Sequence, residues 1–203
     1  MKRAALLLVV AAAAACGRKA EVNGIGPYNF AHTTRAAVHD GVCQPTELTD
    51  GRKATWCFAL PPIKVGKRVA EVDAYFLGQE PQDSAAPEAR KAAQEKLPLI
   101  EVQLKVRGCV ESEAEQWMRE RFGPPDMKQT RGALEVWQNH FIWAGALLPS
   151  EPGRCLIHLL PLSEAAEIAR IKAKAAGGDS PSGNSSGSAA GGGSSGSAAG
   201  SAQ

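Results

Sequence analysis

The sequence predicts an α+β protein, with antiparallel sheet or sheets and helices packed on one face. Three observations predict it. Residues 112–122 place Ala114, Trp117, Met118, Arg121 and Phe122 at three- and four-residue steps, then stop at Gly123-Pro124-Pro125, as a helix with one buried stripe would. Residues 99–107 alternate strictly, Ile100, Val102, Leu104 and Val106 against Glu101, Gln103, Lys105 and Arg107, which is a strand with one dry and one wet face. A helix–glycine–Trp-strand order occurs twice, at Gly41/Trp56 and at Gly123/Trp137, and suggests a tandem α-β-β-β repeat over 30–109 and 110–174.

Taken in order, the chain starts with Met1-Lys2-Arg3 and an uncharged apolar run from Ala4 to Ala15. Such a run is too short to span a bilayer and fits the core of a signal peptide, here 1–15. It ends Ala13-Ala14-Ala15-Cys16-Gly17. This resembles the bacterial lipoprotein signal, with Ala13 where leucine is usual. The resemblance implies that Cys16 is acylated and becomes the mature N-terminus. It also implies a place in the cell envelope, on the periplasmic or surface side, with Gly17 compatible with the outer membrane. Ordinary secretion with a cut after Ala-x-Ala is the alternative. Acyl chains hold a protein to a bilayer at roughly 0.8 kcal/mol per buried CH₂, and stable attachment needs more than one chain.

Cysteine count agrees with the lipid reading. Of Cys16, Cys43, Cys57, Cys109 and Cys155, acylation of the first leaves four, enough for two disulfides in an oxidising compartment. Of the three pairings, Cys43–Cys57 and Cys109–Cys155 are preferred. The first flanks the Asp50-Gly51 turn; the second staples the end of the alternating strand to the last strand. No Cys-x₂-₄-Cys spacing occurs, which argues against a zinc site. Without Lys2 and Arg3 the charges balance at 21 basic and 21 acidic, so the chain carries no electrostatic signature for nucleic acid or anionic lipid.

Residues 16–29 read as a lipidated terminus and tether, broken up by Asn23-Gly24-Ile25-Gly26-Pro27. The folded body is expected over 30–174. It opens with a short helix around Phe30, Ala37 and Val38, then a strand over 54–60 that ends at Pro61-Pro62. In the strand over 69–77, Val72, Ala74 and Phe76 face one way and Glu71, Asp73 and Tyr75 the other. Ser84 to Lys96 is rich in helix formers but lacks large apolar residues, so it reads as a weakly docked helix between neighbouring strands. Ser112 and Glu115 have capping-box spacing for the helix that follows. Three strands come next, around Trp137, Trp143 and Ile157. A last helix over 163–174 is acidic at its start and basic at its end, with Ile168 and Ile171 as its contact. Residues 175–203 form a low-complexity tail. From Gly177, 23 of 27 residues are Gly, Ser or Ala, and nothing there can offset the entropy of ordering the chain.

No catalytic constellation is legible. There is no Gly-x-Ser-x-Gly, and the glycine-rich tail lacks the Gly-Lys-Ser/Thr of a phosphate loop. His32 and His39 lie seven apart without a third ligand, and His158 reads as a packed imidazole roughly opposite Trp143. Neither a metal nor a cofactor is therefore expected. Trp56, Trp137 and Trp143 are the candidate binding residues, since any tryptophan on an open sheet face can anchor a protein partner. The Gly41/Trp56 and Gly123/Trp137 order resembles that of the beta-lactamase inhibitor protein and of small outer-membrane lipoproteins that assist beta-barrel assembly. The resemblance is topological and transfers no functional residue. The expectation is a lipid-anchored envelope protein acting as a binding or assembly-accessory module on another envelope protein. The alternatives are an envelope enzyme acting on cell-wall material and a passive surface protein.

Overall fold

Strict alternation makes the stretch after Pro98 the centre of the molecule. In the computed structural model, which describes residues 22–80, 86–148 and 153–177, it is a strand, Leu99–Cys109, with three strands on either side. In chain order the elements are β1 (Gly24–Ile25), β2 (Tyr28–Asn29), β3 (Val42–Glu47), β4 (Lys53–Val65), β5 (Arg68–Leu77), α1 (Pro87–Gln94), β6 (Leu99–Cys109), α2 (Glu111–Phe122), β7 (Leu134–Gln138), β8 (Ile142–Leu147), β9 (Gly153–Pro161) and α3 (Ala165–Ala176). Seven strands form one antiparallel sheet in the order β3-β4-β5-β6-β9-β8-β7. β3 to β6 meander from one edge to the centre. α2 then carries the chain across to the far edge, and β7 to β9 meander back until β9 pairs with β6. The α+β class is as the sequence predicts.

Both disulfides pair as expected. Cys43 and Cys57 stand directly opposite on β3 and β4, with Cα atoms 4.0 Å apart. Cys109 and Cys155 join β6 to β9 across the central seam, at a Cα separation of 5.7 Å.

Alternation decides which residues meet. One face carries Cys57, Val72, Ala74, Phe76, Val102, Leu104, Trp137, Ala144, Ile157 and Leu159, packed with Ala114, Trp117 and Met118 of α2. The other face carries Leu134, Val136, Trp143 and Leu160, packed with Ile168 and Ile171 of α3. The helices therefore lie on opposite faces rather than on one. The reason is that β7 to β9 are apolar at both parities, as strands buried on both sides must be.

Several local expectations change. The tether does not extend to Asn29: β1 and β2 form a hairpin turned at Gly26-Pro27, and Ile25 and Tyr28 are buried in the α2-side core. Gly26, at φ 56°, supplies the left-handed turn residue. The body thus begins at Val22, which packs against the same core, rather than at Phe30. The first helix shrinks to a 3₁₀ turn, Arg35–Ala37. His32 and His39 consequently share no helix face. α2 begins two residues earlier than a Ser112 cap requires: Val110 is its N-cap, without a side-chain cap bond, and Ser112 lies inside the helix. Gly123, at φ 85°, closes it as expected, its N–H donating to the Arg119 carbonyl.

β4 continues through Pro61-Pro62. β3 reaches only as far as Phe58, so the outer edge of β4 beyond it has no ladder for those prolines to break. On the β5 side the register shifts twice, between Cys57 and Leu60, where Ala59 stands at φ 53°, and between Leu60 and Ile63, across the two prolines. α1 buries none of its residues, in keeping with a weakly docked insertion between the neighbours β5 and β6. α3 ends at Ala176, so helix replaces the first two residues assigned to the tail. The signal segment, Cys16, and residues 178–203 of the tail lie outside the described residues.

The two halves share the meander but not the tryptophans. Trp56 lies on the second strand after Gly41, on the α3-side face, whereas Trp137 lies on the first strand after Gly123, on the α2-side face. The residues that suggested a repeat are not equivalent, and both halves complete a single sheet.

Candidate binding face

α3 seats its apolar stripe on β7, β8 and β9, and its charged residues reach the first meander, where Glu164 pairs with Arg52 of the β3–β4 turn and Glu167 and Arg170 act on Tyr75. On the β3-to-β6 part of the same face the wet positions of four strands converge. Register places Gln44, Trp56 and Tyr75 in one row, and Asp73, Gln103, His158 and Gly145 in the next. Trp56 is half-buried and lies beside Phe58, with ring centroids 4.7 Å apart. It stacks on Tyr75 at 6.3 Å, the planes within 13° of parallel. Its Nε1 donates to Asp73 Oδ2 at 2.9 Å, and Lys105 Nζ donates to the same oxygen at 2.6 Å while standing 5.9 Å above the indole. The tryptophan is thus fixed in orientation while remaining partly exposed. Val42 and Val69, each more than half exposed, extend the apolar surface along this face.

Beside the aromatic ledge lies a buried polar pair. His158 Nδ1 meets Glu101 Oε1 at 2.6 Å, and Gln103 Nε2 donates to that oxygen at 2.9 Å. Burial, with Glu101 and Asp73 nearby, pushes the Tyr75 phenol well above its usual range, so it remains a neutral hydrogen-bonding group. Arg107 pairs with Glu71 at 2.8 Å at the rim. Among the described residues no group of three His, Cys, Asp or Glu side chains is placed to hold a metal ion, and no helix is long and apolar enough to cross a membrane.

Of the three candidate tryptophans, only Trp56 faces outward. Trp137 is buried on the α2 side. Trp143 is buried under α3, with Lys172 Nζ 5.7 Å over its ring. Neither Nε1 finds a hydrogen-bond partner, so these two serve packing. His158 lies opposite Gly145, not Trp143, two residues out of the expected register. It does meet an acid, as an envelope enzyme would require. Clefts of about 200 and 140 Å³ lie elsewhere: one between the β4–β5 turn and α2, the other between the β3–β4 turn and α3. Neither is lined by His158 or Glu101.

Sequence reasoning missed Asp73, Lys105, Phe58 and Glu101 as one constellation. The signal was present, since the wet positions of β5 and β6 were already assigned to one side. The register that sets Asp73 beside Lys105 and Trp56 was not. Comparison with family models, curated proteins and solved structures returns no match.

Proposed function

We propose that this protein is a lipid-anchored binding module of the bacterial cell envelope, held by Cys16 and engaging an envelope protein through the open half of its sheet. The observation that carries the binding reading is the oriented, partly exposed Trp56, stacked on Tyr75 and tied to Asp73. Half-exposed aromatics of this kind, ringed by charged pairs, have the make-up of protein-recognition hot spots. The anchor reading is supported by the Cys16 signal and by the four remaining cysteines, which pair completely.

A photo-crosslinking residue at Gln44, exposed in the Trp56 row, tests it in intact envelopes. The expected result is one discrete protein adduct that disappears with Trp56→Ala. A diffuse smear, or an adduct indifferent to Trp56→Ala, overturns the assignment of this face.

A further inference from the structure

We propose that the end of the sheet carrying the β7–β8 turn, Asn139 to Phe141, lies against the lipid surface to which the chain is anchored. The inference rests on acylation of Cys16 and adds an orientation to it. It starts from where the described chain begins. Asn139 Nδ2 donates to the Val22 carbonyl at 2.7 Å, while its Oδ1 accepts from the Phe141 and Ile142 amides at 2.8 and 2.9 Å. One side chain therefore builds the turn and pins the chain entry beside it. Residues 17–21 separate Cys16 from Val22, and even fully extended that stretch reaches only about 20 Å. The acyl chains and this turn are thus confined to the same neighbourhood, whatever path the linking residues take.

The side chains at this end suit an interface. Phe141 is 48% exposed on a turn held from both sides, since its carbonyl also accepts the Leu162 amide at 3.0 Å. Met127 is 72% exposed. The Gln129 side chain ties its turn to Gln138, the last residue of β7, and so brings Met127 to the same end. Lys128 is exposed next to it. Apolar tips flanked by a cation match the boundary between headgroups and acyl chains. Val69 marks the opposite end of the sheet, about 30 Å away along the strands. In this orientation the Trp56 face stands upright on the membrane and remains open to the side.

Tryptophan fluorescence on the acylated full-length protein tests the orientation. Phe141→Trp and Val69→Trp variants are reconstituted in phosphatidylethanolamine–phosphatidylglycerol vesicles, with and without bromine near the headgroup end of the acyl chains. Bromine should cut the emission added at position 141 at least twofold and leave that added at 69 unchanged. Equal quenching at both positions, quenching at 69 alone, or emission at 141 that is shifted by a protein contact but not quenched overturns the orientation. Intact mass of the native protein separates the two layers of the argument. A bare N-terminus removes anchor and orientation together, whereas an acylated protein with an unquenched residue 141 removes the orientation alone.

Discussion

A single glycine shows how tightly the α3 side is packed. Gly145 lies next to His158 in the register, and Trp143 folds its indole directly over it. A Cβ built at this position would stand 2.2 Å from Trp143 Cη2 and 2.8 Å from Cζ2 and Cζ3. The ring cannot move outward, because Lys172 and the rest of α3 lie above it. Gly145→Ala should therefore cost about 1–3 kcal/mol, the usual penalty for forcing an extra carbon into a filled core. Urea unfolding checks it, and a loss under half a kcal/mol would mean that the indole is not seated as described. Trp56 is the contrasting case, a tryptophan fixed by hydrogen bond and stacking yet left at the surface. Nothing in the residue type separates the two; their strands and faces do.

At the scale of elements, the disulfides show what spacing can predict. Cys43 and Cys57 flank one turn, so a hairpin brings them together, and the structure sets them directly opposite. Cys109 and Cys155 close a longer loop, across the β6–β9 seam. In the chain-entropy account, replacing the first pair by alanines should cost about 3 kcal/mol and the second about 4. Denaturant melts of the two double variants check the order, and a first pair costing more than the second would contradict it. The alternating strand, the Gly123 stop and the Ile168–Ile171 contact were legible because each is a local pattern. The β1–β2 hairpin was not, because its few residues are held by burial of Ile25 and Tyr28 in a core built from distant strands. The run of β4 through Pro61-Pro62 was hidden for a similar reason. It depends on where β3 ends and on the register shift against β5 across the prolines, neither of which β4 encodes. The Asp73–Lys105–Trp56 cluster needed the register of three strands, and its parts read separately as ordinary wet-face residues.

For the whole molecule, the decisive feature is the β6–β9 pairing. It joins a four-strand and a three-strand meander into one sheet, and the α2-side core runs through both. Two halves that share a core and a central ladder cannot unfold separately. Thermal unfolding of the disulfide-intact protein should thus give one transition, with calorimetric and van't Hoff enthalpies in agreement. Two resolved transitions would restore independent repeats. The same pairing sets α3's apolar stripe on the second meander and leaves Trp56 partly exposed on the first. By itself the sequence determined the α+β class and most strand and helix positions and favoured the cysteine partners that form, because these follow from periodicity, turn chemistry and short chain closure. Only the tertiary structure decided which face each helix covers, which tryptophan meets solvent, and that Val22 is tied to the β7–β8 turn. Those outcomes depend on contacts between residues far apart in the chain, and local pattern carries no information about them.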